Sequence, residues 1–312
     1  MGGAEPLPRS IDEPVLIYDR IAANKRETWL LMLLFIGLLG GFVTALGYAI
    51  GMPLYVSPVV FAGLGAYALF SYYVSSSVAL SVSGARVVTL EDEPELYRIV
   101  ENLSIGSGLP MPKVYVIEDS APNAFATGRD PKHASVAATR GLLDKLDKSE
   151  LEAVIAHEMS HVGNYDIRVM TITVVLVGLI ALLADFFMRW TWMGAGRRSG
   201  NKSKGGGMAI IIVVAIVFAI LAPVIGKLIQ LAISRKREYL ADASGALLCR
   251  NPDALARALE KISADREPLE AANKATAHMY ISNPLKEHAS LLNNAFSTHP
   301  PIEDRIRLLR AM

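Results

Sequence analysis

Five residues in the middle of the chain carry its clearest chemistry: His157-Glu158-Met159-Ser160-His161, an H-E-x-x-H pattern. On an α-helix, positions i and i+4 share a face with Cβ atoms about 6 Å apart. Both imidazoles can then reach a single Zn²⁺ at roughly 2.0–2.1 Å. Glu158 points to the adjoining side, placed to take a proton from water at that metal. The neighbours read as a helix. Leu151, Val154, Ile155 and Val162 form its apolar face, and Lys148-Ser149-Glu150 its start, with Ser149 as N-cap and Glu152 three residues on. Two surface histidines and a solvated glutamate would give the same five letters, so the pattern needs further ligands.

A zinc site of the gluzincin type takes its third protein ligand, usually a carboxylate, from another helix. The octet Arg235-Lys236-Arg237-Glu238-Tyr239-Leu240-Ala241-Asp242, where a hydrophobic run ends, offers Glu238 for that position. Asp242 lies one turn further on the same face, where it can hydrogen-bond a ligand histidine. A solvated, charged helix start is the plainer account of the octet. Three protein ligands leave a fourth position to water, whose pKa falls to about 7. With Glu158 as general base, such a site can activate water.

The elements that must position these groups are strongly apolar. The chain has 312 residues, 52% of them hydrophobic, and a mean hydropathy of +0.34, too apolar for an ordinary soluble domain. A net charge of +1 gives no field that favours nucleic acid. The single cysteine, Cys249, excludes an internal disulfide framework and a Cys-rich zinc ribbon. Residues 1–27 read as a tail followed by a short surface helix from Val15 to Glu27. Residues 28–80 read as a transmembrane hairpin: Thr28 to Ile50 is uncharged and long enough to span about 30 Å, and Leu54 to Leu80 returns. Lys25, Arg26 and Arg86 at its ends place that side in the cytoplasm.

Residues 81–168 have soluble character. A helix runs from Glu91-Asp92-Glu93-Pro94 to Ile105 and ends at Gly106-Ser107-Gly108; Lys113 to Glu118 and Ala134 to Ala138 alternate as strands. Between them lies Asn123-Ala124-Phe125-Ala126-Thr127-Gly128, either a plain edge strand or an exposed edge that pairs with an extended peptide. Residues 169–233 form a second hydrophobic hairpin containing Asp185, Pro223 and Lys227, with a Gly-rich basic loop at 194–207. Residues 234–312 complete the soluble part. Since Glu238 must meet His157, the third and fourth runs begin and end on one side. If they span, the basic loop lies outside, against the positive-inside tendency; otherwise they form a shallow hairpin that does not cross. Ligand geometry is the firmer constraint, which keeps the catalytic side cytoplasmic.

Four blocks occur in a family's order: Asn123–Gly128; His157–His161 continuing through Asn164 to Asp166; Glu238-Tyr239-Leu240-Ala241-Asp242; and Thr298-His299-Pro300-Pro301 with Arg305. Together they resemble the HtpX group of membrane-bound zinc metalloproteases, relatives of the CAAX prenyl endopeptidases, over most of the chain. The resemblance implies a mostly α integral membrane protein with four hydrophobic helices and a gluzincin-type α+β protease domain. It implies one Zn²⁺ per chain on His157, His161 and Glu238, and Glu158 as general base. Asn123, Ala124, Phe125, Ala126 and Thr127 would lie along the substrate backbone. Asp242 and Arg305 would stand behind the metal, and His299 would donate to the oxyanion. It further implies a plasma-membrane protein that cleaves unfolded or damaged membrane proteins in quality control, its partners being lipid and those substrates. A membrane scaffold with a structural zinc, a prenyl-protein endopeptidase and, from Asp185 and Lys227, a small transporter are the alternatives.

Overall fold

The structure, a computed structural model, describes residues 17–49, 53–176, 235–265, 267–271, 276, 279–282 and 300–312. The N-terminal tail, Asp185, the loop 194–207, Lys227 and His299 lie outside the described residues, as do most of the third and fourth hydrophobic runs. Among the described residues the chain is mostly helical with one small sheet.

Helices α1 (Ile17–Ala49) and α2 (Ser57–Val82) pack as a hairpin. Within it, Ile21–Thr44 and Leu54–Val82 are long and apolar enough to cross a membrane. The surface segment expected up to Glu27 and the first apolar run are one continuous helix. Ala23-Asn24-Lys25-Arg26-Glu27 contains neither Gly nor Pro, so nothing breaks the backbone ladder there. The apolar side chains Trp29, Leu33, Leu54, Val59, Phe70 and Tyr73 remain exposed, which in a hairpin of this length is a lipid-facing surface. Its inner face closes on helical residues 166–176: Met32, Phe35 and Leu39 of α1 and Ala68 of α2 cluster with Ile172 and Leu176.

The sheet has the order β1 (Arg86–Val87), β2 (Lys113–Ile117), β4 (Ala134–Thr139), β3 (Ala124–Gly128). The β2–β4 pair is parallel and the other two are antiparallel. Helix α3 (Pro94–Ser107) crosses over between β1 and β2 and stops at Gly108, whose φ of +68° suits a residue without Cβ. The short α4 (Arg140–Lys145) leads from β4 to α5 (Lys148–Gly163).

Helix α5 is the middle layer. Residues Leu151 and Ala153–Val162 are all buried, between the sheet on one side and α6 (Arg235–Cys249) and α7 (Pro252–Ala264) on the other. Leu255, Leu259 and Ile262 of α7 fill the space beside Leu151 and Ile155, each full burial contributing about 1.5–3 kcal/mol. Helix α8 (Ile302–Leu309) packs on α7 and α6. The start of α5 differs from the sequence expectation. Asp147 is the N-cap, accepting from the backbone N–H groups of Ser149 and Glu150, while Glu150 reaches back to the Asp147 N–H at 3.0 Å. Asp147 rather than Ser149 therefore starts the helix, two residues earlier, with Glu150 closing the capping box.

Candidate metal centre

Burial of α5 on all sides removes the reading of His157 and His161 as solvated surface residues. Their relative exposures are 0% and 3%, and Glu158 between them is at 1%. Helix α6 crosses α5 at Gly245, where an added Cβ would stand 2.8 Å from the His157 nitrogen and 2.9 Å from its Cα. That close crossing brings Glu238, two turns earlier on α6, over the histidine pair. Nε2 of His161 lies 3.2 Å from Nε2 of His157 and 3.6 Å from Oε1 of Glu238; Nε2 of His157 lies 3.8 Å from Oε2 of Glu238. A tetrahedral ion with ligands at about 2.0–2.1 Å has ligand–ligand edges of about 3.3–3.4 Å. The observed separations bracket that edge. Among the described residues this is the one cluster of histidine, cysteine and carboxylate groups with metal-binding spacing.

Each histidine is oriented from behind. Nδ1 of His157 is 2.9 Å from Oδ1 of Asp242, close but out of line with the ring N–H. Nδ1 of His161 is 3.0 Å from Oδ2 of Asp166. Carboxylates on both Nδ1 atoms favour the tautomers that turn the Nε2 lone pairs toward one point. Asp242 is itself held by Arg305, fully buried, through Nε to Oδ2 at 2.8 Å and Nη2 to Oδ1 at 2.6 Å. Arg305 Nη1 also donates to the Ile281 carbonyl at 3.1 Å and stands 3.5 Å from Glu238. The donor set therefore fits a dication: two imidazole nitrogens that an ion would hold in the neutral form, one carboxylate, and a cationic Arg305 that offsets part of the surrounding negative charge.

Burial drives the titration of the site. It raises the Glu158 carboxyl to about 7; His161 pulls the other way, Glu238 adds to the rise, and the Ala126 N–H lowers it. For His161, burial lowers the pKa, but Asp166, Glu238 and Glu158 outweigh it and hold it at about 9. For His157, burial wins over Asp242 and the pKa falls. Burial would raise Asp242, yet Arg305 and His157 keep it below the usual carboxylate range. Oε2 of Glu158 is buried without a hydrogen-bond partner among the described residues, a costly arrangement for a purely structural side chain.

The strand residues Asn123 to Thr127 lie beside this centre, and the expectation of an exposed edge is corrected. β3 is terminal in the sheet, but Ala124 to Gly128 are all buried. The protein's own chain covers the outer edge at both ends. Ile281 N–H donates to the Ala124 carbonyl at 3.1 Å, and the Asn123 side chain donates to Ser282 O at 3.1 Å. At the other end Gly128 N–H donates to Thr171 Oγ1 at 3.1 Å. Between them the Ala126 N–H faces Glu158. Phe125 turns inward and packs edge-on against Tyr280, ring centroids 5.1 Å apart.

The structure thus brings together His157, His161, Glu158, Glu238, Asp242, Arg305 and β3. The sequence by itself gives Asp166 no role beyond its place in a block. Its signal was a carboxylate five residues past the second histidine, just beyond the helix end, where only the turn's geometry shows that it folds back.

Comparison with known proteins agrees with this geometry. The model of Peptidase family M48 matches residues 90–312. The chain belongs to family M48. Membership makes it a metalloprotease, and its relatives together with its two long apolar helices support a membrane-associated one. Curated relatives of this M48 chain are each named "Protease HtpX homolog". That of Tropheryma whipplei (strain Twist) is 48% identical over 297 residues, 95% of this chain and 99% of the relative. That of Dictyoglomus thermophilum is 46% identical over 300 residues, 96% of each. Among solved structures, the "Crystal Structure of S. mikatae Ste24p" matches with a TM-score of 0.50 at 19% identity, covering 93% of this chain and 67% of that one. At that identity the likeness is one of fold.

Proposed function

We propose that this M48 protein is a zinc-dependent endopeptidase whose centre is of the gluzincin type, with His157, His161 and Glu238 as the three protein ligands. The observation that carries the reading is the buried Glu158 beside that triad, with its carboxyl raised to about 7 and Oε2 left without a hydrogen-bond partner among the described residues. Bound zinc supplies Lewis acidity to a substrate carbonyl and to water. Glu158 takes the proton from the attacking water and returns it to the leaving amine, the role of a buried carboxyl that can act first as base and then as acid. Asp242, braced by Arg305, fixes the ring of His157. Asn123 to Thr127 receive the substrate backbone, with the Ala126 amide released from Glu158 as the peptide arrives. His299 donates to the developing oxyanion.

The substrates in this reading are unfolded or damaged proteins, membrane proteins among them. The shared name of the relatives supports protease activity, and the hairpin of α1 and α2 supports work at the bilayer. The chain would cross the plasma membrane several times, with four hydrophobic helices and the centre on the cytoplasmic side. The test is casein cleavage by detergent-purified, metal-stripped protein with zinc added back, beside Glu158→Gln. Zinc-dependent cleavage by the parent, at least about a hundredfold faster than the variant, is expected, with equal zinc content in both. A parent that binds zinc and does not cut would favour a structural metal on a scaffold instead.

A further inference from the structure

We propose that Asn24, at the start of the first membrane-spanning helix, is a positioning residue of the metal centre that orients His161 through Asp166. This rests on His161 being a metal ligand. Asn24 is 2% exposed, and its amide nitrogen donates to Oδ1 of Asp166 at 2.8 Å and to the Asn164 carbonyl at 2.8 Å. Both amide hydrogens are therefore used and the side chain has one orientation. The other oxygen of Asp166 meets Nδ1 of His161 at 3.0 Å. A continuous line of buried polar contacts thus joins α1 to the imidazole on α5.

The turn that carries Asp166 is closed by local backbone bonds, Asn164 N–H to Ser160 O at 3.0 Å and Tyr165 N–H to Val162 O at 3.2 Å, and is braced from outside as well. Tyr165, immediately before Asp166, has φ +61°, a left-handed backbone that a bulky residue adopts only when its surroundings impose it. Those surroundings include the Arg168 guanidinium, 5.5 Å from the Tyr165 ring, and α1. Beyond the two bonds from Asn24, the Lys25 ammonium lies 4.4 Å over the Tyr165 ring. Glu27 pairs with Arg237 of α6, whose Nε stands 3.5 Å from Oδ1 of Asp166. Anchoring a helix to lipid or to its neighbours requires no amide here. A buried amide is costly unless it is hydrogen-bonded, and this one is spent on the residue behind His161. In consequence the seating of α1, which lipid surrounds further along, is coupled to the affinity of the site for its metal.

The experiment measures zinc affinity by chelator competition and the visible absorption of the Co²⁺-substituted full-length protein in detergent, for the parent, Asn24→Leu and Met32→Ala. Leu keeps the branched heavy-atom skeleton, is somewhat larger, and removes the donors. Met32 packs α1 against Ile172 and Leu176 without touching Asp166, so its loss loosens the helix alone. Asn24→Leu is expected to raise the zinc Kd by about tenfold, the size of effect seen when a group behind a ligand is removed, and to shift the cobalt bands. Met32→Ala is expected to lower the thermal midpoint with Kd and bands unchanged. Asn24→Asp, which keeps the shape and sets an acceptor against Asp166, is read in the same way if Asn24→Leu does not accumulate. Parent-like affinity and spectrum in the Asn24 variant would overturn the proposal, as would equal changes in Met32→Ala. A parent that binds neither metal would instead overturn the metal reading on which the proposal stands.

Discussion

Glu238 and Asp242 sit one turn apart on α6 and do different work. Glu238 offers its carboxylate to the same point as the two Nε2 atoms, so Glu238→Ala should leave purified protein with well under one zinc per chain by elemental analysis. Full occupancy would mean that another group is the third ligand. Asp242 instead neutralises a fully buried guanidinium and orients His157. Removing one partner of a buried pair leaves the other charge uncompensated, at a cost of about 3–5 kcal/mol. Asp242→Ala should therefore lower the thermal midpoint of the metal-stripped protein, an effect that Glu238→Ala shares much less. It should also weaken zinc binding by about 10–100-fold. A variant with unchanged unfolding would show that Arg305 finds another anion.

At the scale of elements, the decisive contact is helix on helix. Gly245 lets α6 approach α5 so closely that a methyl group would meet the backbone of His157 and Ala156. Gly245→Ala should force the helices apart, with an overpacking cost of about 1–3 kcal/mol. It should also reduce zinc affinity, because Glu238 moves with α6. Gly106→Ala is the control: its nearest foreign atom is Leu248 Cδ1 at 3.7 Å, ordinary contact, so stability should hold or rise slightly. Affinity unchanged in Gly245→Ala would mean that the crossing point does not set the ligand geometry. The edge strand β3 makes a related point about access. Ile281 at one end and Thr171 at the other already use outer hydrogen-bonding groups of β3, so in the proposed reading a substrate strand along Asn123 to Thr127 would pair first at the Ala126 amide and extend as these contacts yield.

Among the described residues, a hairpin of two long apolar helices docks on the metal-centre region through polar contacts at the base of α1 and through apolar contacts of both helices, Met32, Phe35, Leu39 and Ala68 with Ile172 and Leu176, and Ala79 and Leu80 with Ile117 and Phe125. Sidedness turns on the hydrophobic runs that lie between α5 and α6 in the sequence. In the proposed reading both flanks of that segment supply metal ligands, which would put its ends on one side of the membrane. A tag placed at Gly200 should be protected from external protease in sealed inside-out vesicles, with the centre's side facing outward, if the two runs cross. Digestion of the tag in those vesicles would establish a hairpin that does not cross. Either outcome decides how many helices span.

The sequence by itself groups His157, Glu158, His161 and Glu238, because the i, i+4 spacing of a helix and metal-donor chemistry restrict which residues can act together, and the structure brings His157, His161 and Glu238 to one point. The membrane hairpin was legible too, since hydrocarbon thickness sets a length that few other segments need. The cap of α5 was misplaced by two residues: Asp147 and Ser149 are both good caps, and only the backbone's course into the helix chooses between them. The cover on β3 and the roles of Asp166 and Asn24 came from the tertiary structure alone. A hydrogen bond between residues 142 positions apart leaves no periodicity in the sequence, because it depends on how separate elements dock rather than on how any one of them folds.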